Sequence, residues 1–133
     1  PDTVIFDASE PMLSRATTNG YPALQGDVRS LPLNSESVDA VVSVDAIHHL
    51  PAIETVLSEV ERVLRPGGVF VVRDFDPTTI RGRGLVLAER LVGFKSTFFS
   101  VEAMVDSFER AGLEPTVLES GFVYTIAGRK QRE

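Results

Sequence analysis

The chain has no cysteine, so disulfides, thiolate metal sites and a cysteine nucleophile are all excluded. Lysine is scarce, with Lys95 and Lys130 the only two among 13 basic residues, and no five-residue stretch is basic. Acidic residues number 19 and the net charge is -6. Affinity for nucleic acid rests largely on clustered Lys and Arg displacing counterions, so no nucleic-acid partner is expected. No apolar run approaches the ~18 to 20 residues needed to span a bilayer, and the first residues lack the basic-then-apolar pattern of a signal peptide. A cytoplasmic protein with no membrane span is the expectation. There is no Gly-x-Ser-x-Gly turn, and Ser43 is not flanked by glycine, which disfavours serine-hydrolase chemistry. Internal repeats, low-complexity tracts and linkers are absent.

At 133 residues the sequence suffices for one domain, burying roughly two thirds of its unfolded surface. Residues 3–6 form a short apolar run ending at Asp7. Ser9 can cap a helix with Glu10 and Pro11 in its first turn, Met12, Leu13 and Ala16 on its apolar side, and Asn19-Gly20 as its stop. Residues 23–25 are a weak strand before Gly26-Asp27, and residues 38–44, with valines at 38, 41, 42 and 44, are the clearest strand. Apolar residues at 53, 56, 57, 60, 63 and 64 have helical spacing, so a helix is expected over 51–64, ended by Pro66-Gly67 and carrying an exposed Glu61–Arg65 pair. A strand over 68–72 then runs to Arg73-Asp74. Further helices are expected over 85–92 and 101–111, the second capped by Ser100 and closed by Gly112, followed by a hairpin of 115–120 and 122–127. The helix over 85–92 is apolar on nearly every side and should be covered on several faces or line an apolar cavity. Residues 129–133 read as frayed.

This alternation predicts an α/β fold: a Rossmann-like, mostly parallel sheet with helices on both faces and a C-terminal antiparallel hairpin. Open parallel sheets bind ligands where strands end and loops begin, which directs attention to the strand ends. Asp7 follows a strand and precedes a helix, where a carboxylate can accept hydrogen bonds from both hydroxyls of a ribose or simply favour the helix dipole. Gly26-Asp27 repeats the arrangement. Its carboxylate can accept from an exocyclic amine such as that of adenine, while the amide of Val28 donates to a ring nitrogen; equally, Asp27 can form an Asx turn. His48 and His49 follow the strand over 38–44, where a histidine can act as general base or orient a substrate hydroxyl, His48 being the better placed. Adjacent histidines do not readily chelate one ion and no third ligand is at hand, so no metal site is expected. Gly67-Gly68 is explained by helix termination, and Gly82-Arg83-Gly84 falls in a loop well after a strand, so neither is a phosphate-cradling fingerprint. Phe94, Phe98 and Phe99 can wall an apolar pocket, or belong to the core.

Five stretches in order carry a resemblance: residues 4–13, Gly26-Asp27 with Leu31-Pro32-Leu33, residues 38–43, Ile47-His48-His49-Leu50, and residues 63–68. Together they resemble class I S-adenosylmethionine-dependent methyltransferases, in the small-molecule branch that includes ubiquinone/menaquinone C-methyltransferases (type 11), over essentially the whole chain. The resemblance implies a seven-stranded sheet with a reversed last hairpin and S-adenosylmethionine as cofactor. Asp7, with Ala8 beside it, would bind the ribose hydroxyls and Met12 would lie against the adenine. Asp27 would take the adenine amine with Val28 adjacent, Ser43 and Val44 would approach the methionine portion through their backbone, and His48 would face the space shared with the acceptor. Such chemistry asks for alignment of a small, apolar acceptor and exclusion of water more than for reactive side chains.

The family's first strand and glycine-rich turn have no counterpart before Pro1, so a truncated domain is expected, with a gap between the strands at Val4 and Val41 unless they pair. Asp45 stands where the family has an apolar or small residue. Exposed strand edges would favour a homo-oligomer. The alternatives are a noncatalytic methyltransferase-like assembly or regulatory module and, more distantly, a nicotinamide-dependent oxidoreductase, since fold alone does not choose chemistry.

Overall fold

The computed structural model describes residues 5–7, 23–44, 52–78, 80–91 and 99–132. The stretch in which Ser9 is expected to begin a helix lies outside them, as do Ala8, Met12, His48, His49, Phe94 and Phe98. Strands β1 (Ile5–Asp7) and β2 (Ala23–Gln25) pair in parallel. Strands β3 (Val38–Val44), β4 (Leu64–Phe75), β5 (Leu113–Glu119) and β6 (Val123–Lys130) form a second sheet in the order β3-β4-β6-β5. Helices α1 (Ile53–Val63), α2 (Ile80–Leu91) and α3 (Val101–Arg110) lie between them in sequence. The expected α/β alternation is present. The C-terminal hairpin is also as expected: β6 inserts antiparallel between β4 and β5 and is the one reversed strand among those described in that sheet, β3, β4 and β5 all running the same way. Among the described residues β1 and β3 are not paired.

The core lies on one face of the larger sheet. Alternation along β4 sends Phe70 and Val72 to that face, and the register sets Val41 and Ser43 of β3 and Gly128 and Ile126 of β6 beside them. Helix α1 contributes Val56, Leu57 and Val60, and α3 contributes Met104 and Phe108, all buried. Burying such a side chain is worth about 1.5 to 3 kcal/mol each. Phe108 stacks on Phe70, centroids 5.6 Å apart and planes 12° from parallel. It seats there because position 128 is glycine: a β-carbon would stand 2.7 Å from Cε2 of Phe108. The opposite face leaves Val42, Val44 and Leu118 exposed.

Several boundaries moved. Helix α1 ends at Val63, because Pro66 biases Arg65 away from helical geometry and Leu64 is already extended, bridging Val38. Gly67, at φ +83°, supplies the left-handed turn before the strand proper. With Arg65 off the helix, the expected Glu61–Arg65 pair is not formed. Arg65 bonds Asp39 at 3.1 Å, and Glu61 pairs with Lys130 at 3.3 Å. Lys130 is not frayed: its ammonium donates to the carbonyls of Glu61 and Leu64, each at 2.9 Å, capping the negative end of α1. Helix α2 begins five residues earlier than expected, with Gly82 and Gly84 inside it rather than in a loop, at about 1 kcal/mol each relative to alanine. Nor is it covered on all sides: Leu87 and Leu91 face solvent.

Arg62 ties α1 to the loop after β2. Its guanidinium donates to the carbonyls of Leu33 (2.8 Å) and Leu31 (3.0 Å) and to Glu59 (2.7 Å), while Glu59 also receives the Leu31 amide at 3.4 Å. Arg62→Ala strands these half-buried acceptors, and thermal or urea denaturation should record a loss of about 1 to 3 kcal/mol, with Arg62→Lys intermediate.

Candidate functional site

Parallel strands β1 and β2 put their C-terminal ends side by side. Asp7, the last residue of β1, is the register partner of Gln25, and Gly26-Asp27 follows at once. The backbones at positions 7 and 27 therefore leave the sheet at the same end of neighbouring strands. The side chain of Asp7 lies outside the described residues.

Asp27 is exposed and is held by its own turn. Its Oδ1 accepts the Arg29 amide at 2.9 Å, its carbonyl accepts the Ser30 amide at 3.0 Å, and the Arg29 Nε reaches both carboxylate oxygens at 3.0 Å. The Asx-turn alternative is thus realised, and the Arg29 fork was not anticipated. These side-chain hydrogen bonds, then the backbone one, lower the Asp27 pKa from 3.8 to about 2. A carboxylate in that state is purely an acceptor at neutral pH, with lone pairs beyond those Arg29 uses. Val28 is half-buried and its side chain packs against the core.

On β3, Ser43 is half-buried on the core side, opposite Val72, while Val44 is exposed, opposite Arg73. Residues 45–51, which carry His48, leave from this point. Strand β4 continues two residues past that register to Phe75 and presents two carboxylates that sequence reasoning did not assign to a site. Asp74 and Asp76 are only 1% and 7% exposed. Asp74 Oδ1 accepts the Phe75 amide at 2.7 Å. Asp76 Oδ1 accepts from the amide and hydroxyl of Thr78 at 2.8 and 2.6 Å, and the Asp76 amide donates to the Phe122 carbonyl at 2.8 Å.

Tyr124 is the register partner of Asp74 and is fully buried, and its hydroxyl has no hydrogen-bond partner among the described residues. Burial first, then the charges of Asp74 and Asp76, raise its pKa well above the ordinary tyrosine value of 10. Beside Asp76 lies a cavity of about 320 Å3, lined by Asp76, Thr78, Ser100, Val101 and Glu102. Ser100 is occupied as expected, its hydroxyl capping α3 through the Ala103 amide at 3.1 Å. The cavity therefore opens between the tip of β4 and the start of α3, one strand over from the end of β3. A second hollow of about 310 Å3, lined by Glu109, Gly112, Leu113, Glu114, Pro115 and Gln131, is at the other end of the sheet, away from the strand tips. Among the described residues no group of three His, Cys, Asp or Glu side chains converges to hold a metal.

Two consequences can be measured. Arg29→Ala should return the Asp27 pKa from about 2 toward 3.8, as followed by NMR titration of the carboxyl carbon. For Tyr124 the folded pKa lies above the unfolded one, so folding favours the protonated phenol. Its contribution is present below pH 10 and is lost as pH rises beyond it. Tyr124→Phe should flatten that alkaline fall in melting temperature and leave stability at neutral pH unchanged or slightly higher, since a hydroxyl without a partner is removed.

The comparisons with known proteins agree with this geometry. A methyltransferase-domain family pattern matches residues 2–72. The chain is 47% identical over 60 residues to a Mycobacterium ulcerans protein named probable phthiotriol/phenolphthiotriol dimycocerosates methyltransferase 2, covering 45% of this chain and 23% of that protein. It is 32% identical over 97 residues to a sterol 24-C-methyltransferase of Gibberella zeae, covering 68% of this chain and 26% of the relative. These matches span about a quarter of each relative's length. A crystal structure from Thermotoga maritima, described as a SAM-dependent methyltransferase and possible histamine N-methyltransferase, superposes with a TM-score of 0.89 at 27% identity, covering 97% of this chain and 73% of that one. With more than half of its residues matched by the family pattern and its fold shared with that structure, this chain belongs to the methyltransferase-domain family.

Proposed function

We propose that this chain is the catalytic domain, or most of one, of an S-adenosylmethionine-dependent methyltransferase acting on a small, apolar acceptor. The observation that carries the reading is the pairing of β1 with β2, which sets the backbones of Asp7 and Asp27 at one end of adjacent parallel strands. In this reading one carboxylate serves the two ribose hydroxyls and the other the adenine amine, and the side-by-side strand ends support it. The residues present fit the cofactor: Asp27 is ionised down to about pH 2, and the core-anchored Val28 fixes the backbone next to it. The exposed Val44 at the end of β3 leaves room for the methionine portion along the backbone of Ser43 and Val44. Ala8, Met12 and His48 are assigned to the same crevice by sequence position.

When bound, the cofactor supplies a methyl group on a sulfonium that is already a good leaving group. The chain's own part is to hold the acceptor in line and keep water out. The cavity beside Asp76 and Thr78 is placed to receive a polar group of the acceptor, and His48, in the loop leaving β3, is the residue to take a proton where the acceptor must lose one. The named acceptors of the relatives, phthiotriol dimycocerosates and a sterol, favour an apolar compound and give no particular support to a quinone.

Isothermal titration of S-adenosylmethionine into the whole protein should show binding that Asp7→Asn weakens about ten- to a hundredfold, the loss of charge-assisted hydrogen bonds worth about 1.5 to 3 kcal/mol. Unchanged affinity would remove Asp7 from the site. Binding with no transfer of labelled methyl to any lipid or small-molecule fraction would instead favour a noncatalytic module.

A further inference from the structure

Helix α2 carries an apolar stripe on its outer side. Leu87 and Leu91, one turn apart, are 60% and 78% exposed, whereas Leu85 and Val86 on the opposite side are half-buried. An isolated exposed leucine is ordinary, but two stacked at i and i+4 form a continuous ridge. Arg81 and Arg83, both exposed, lie near the start of α2, and successive residues at about 100° place them on either flank of the ridge. The helix as a whole holds three arginines and one glutamate, in a chain whose net charge is -6. Its sign is therefore opposite to that of the rest of the molecule.

We propose that α2 docks on the surface of an anionic lipid bilayer, with Leu87 and Leu91 below the headgroups and Arg81 and Arg83 on the lipid phosphates. Apolar ridge plus flanking arginines is the composition of a helix that lies in the interface plane, the arginine stems reaching back to the charged layer. Charge selects the partner: a protein of net negative charge is repelled by such a surface except through a basic element, and α2 is one. The helix lies on the membrane rather than through it, since no described helix is long and apolar enough to cross. Helix α2 begins shortly after Asp76 and Thr78 in sequence, which line the cavity at the tip of β4.

The test is cosedimentation of the whole protein with extruded vesicles of phosphatidylcholine containing 30% phosphatidylglycerol, against pure phosphatidylcholine vesicles. Expected is binding to the anionic vesicles that falls about tenfold with Leu87→Asp/Leu91→Asp, by a similar factor with Arg81→Glu/Arg83→Glu, and steeply with added salt. All four positions are solvent-facing, so circular dichroism and S-adenosylmethionine affinity should be unchanged in both variants. That control separates failure of the docking surface from failure of the cofactor reading. Absence of wild-type binding, or equal binding by the variants, overturns the proposal. So does a dimer seen by light scattering that the double aspartate variant dissolves, because the ridge would then be covered by a second copy.

Discussion

The architecture depends on Phe108 lying flat against Phe70 over the bare backbone of Gly128. That contact, with buried Met104 beside it, seats α3 on the sheet. With it, the N-terminus of α3 is carried over the tip of β4, where Ser100 and Val101 become one wall of the cavity whose other wall is Asp76 and Thr78. A packing event in the middle of the sheet thus shapes a polar space at its edge. The same core face holds α1 through Val56, Leu57 and Val60, and Lys130 closes the far end of that helix through the Glu61 and Leu64 carbonyls.

Charge is distributed along the strand ends by local chemistry. Asp27 is kept ionised by Arg29 two residues away, in a turn that needs nothing from the rest of the fold. Asp74 and Asp76 differ: they are buried, and what surrounds them comes from the antiparallel strand β6 and from the turn at Thr78. All three carboxylates accept hydrogen bonds from near neighbours in sequence, but the burial of Asp74 and Asp76 comes from a strand some fifty residues on. Tyr124, the register partner of Asp74, is buried in the same core.

The two faces of the sheet divide the labour. One is the closed core. The other leaves Val42, Val44 and Leu118 open, and helix α2 turns leucines outward as well.

Strand, helix and hairpin order were legible in the residues, because valine runs, helical spacing at 53–63 and the Ser100 cap are local signals that tertiary context did not override. So was the strand-end position of Asp7 and Asp27, since an acid directly after a short apolar run needs only chain continuity to be placed there. What the residues alone left undecided is whatever depends on register. The sequence shows an acid at 74 and a tyrosine at 124, and only antiparallel pairing of β4 with β6 makes them neighbours. It shows a glycine at 128, and only the approach of Phe108 explains it. Helix ends moved for the same reason: Leu64 left α1 to bridge Val38, a partner 26 residues upstream that no window of local sequence contains. Local sequence chose the elements and the strand-end acids; the pairing of distant strands chose the cavity.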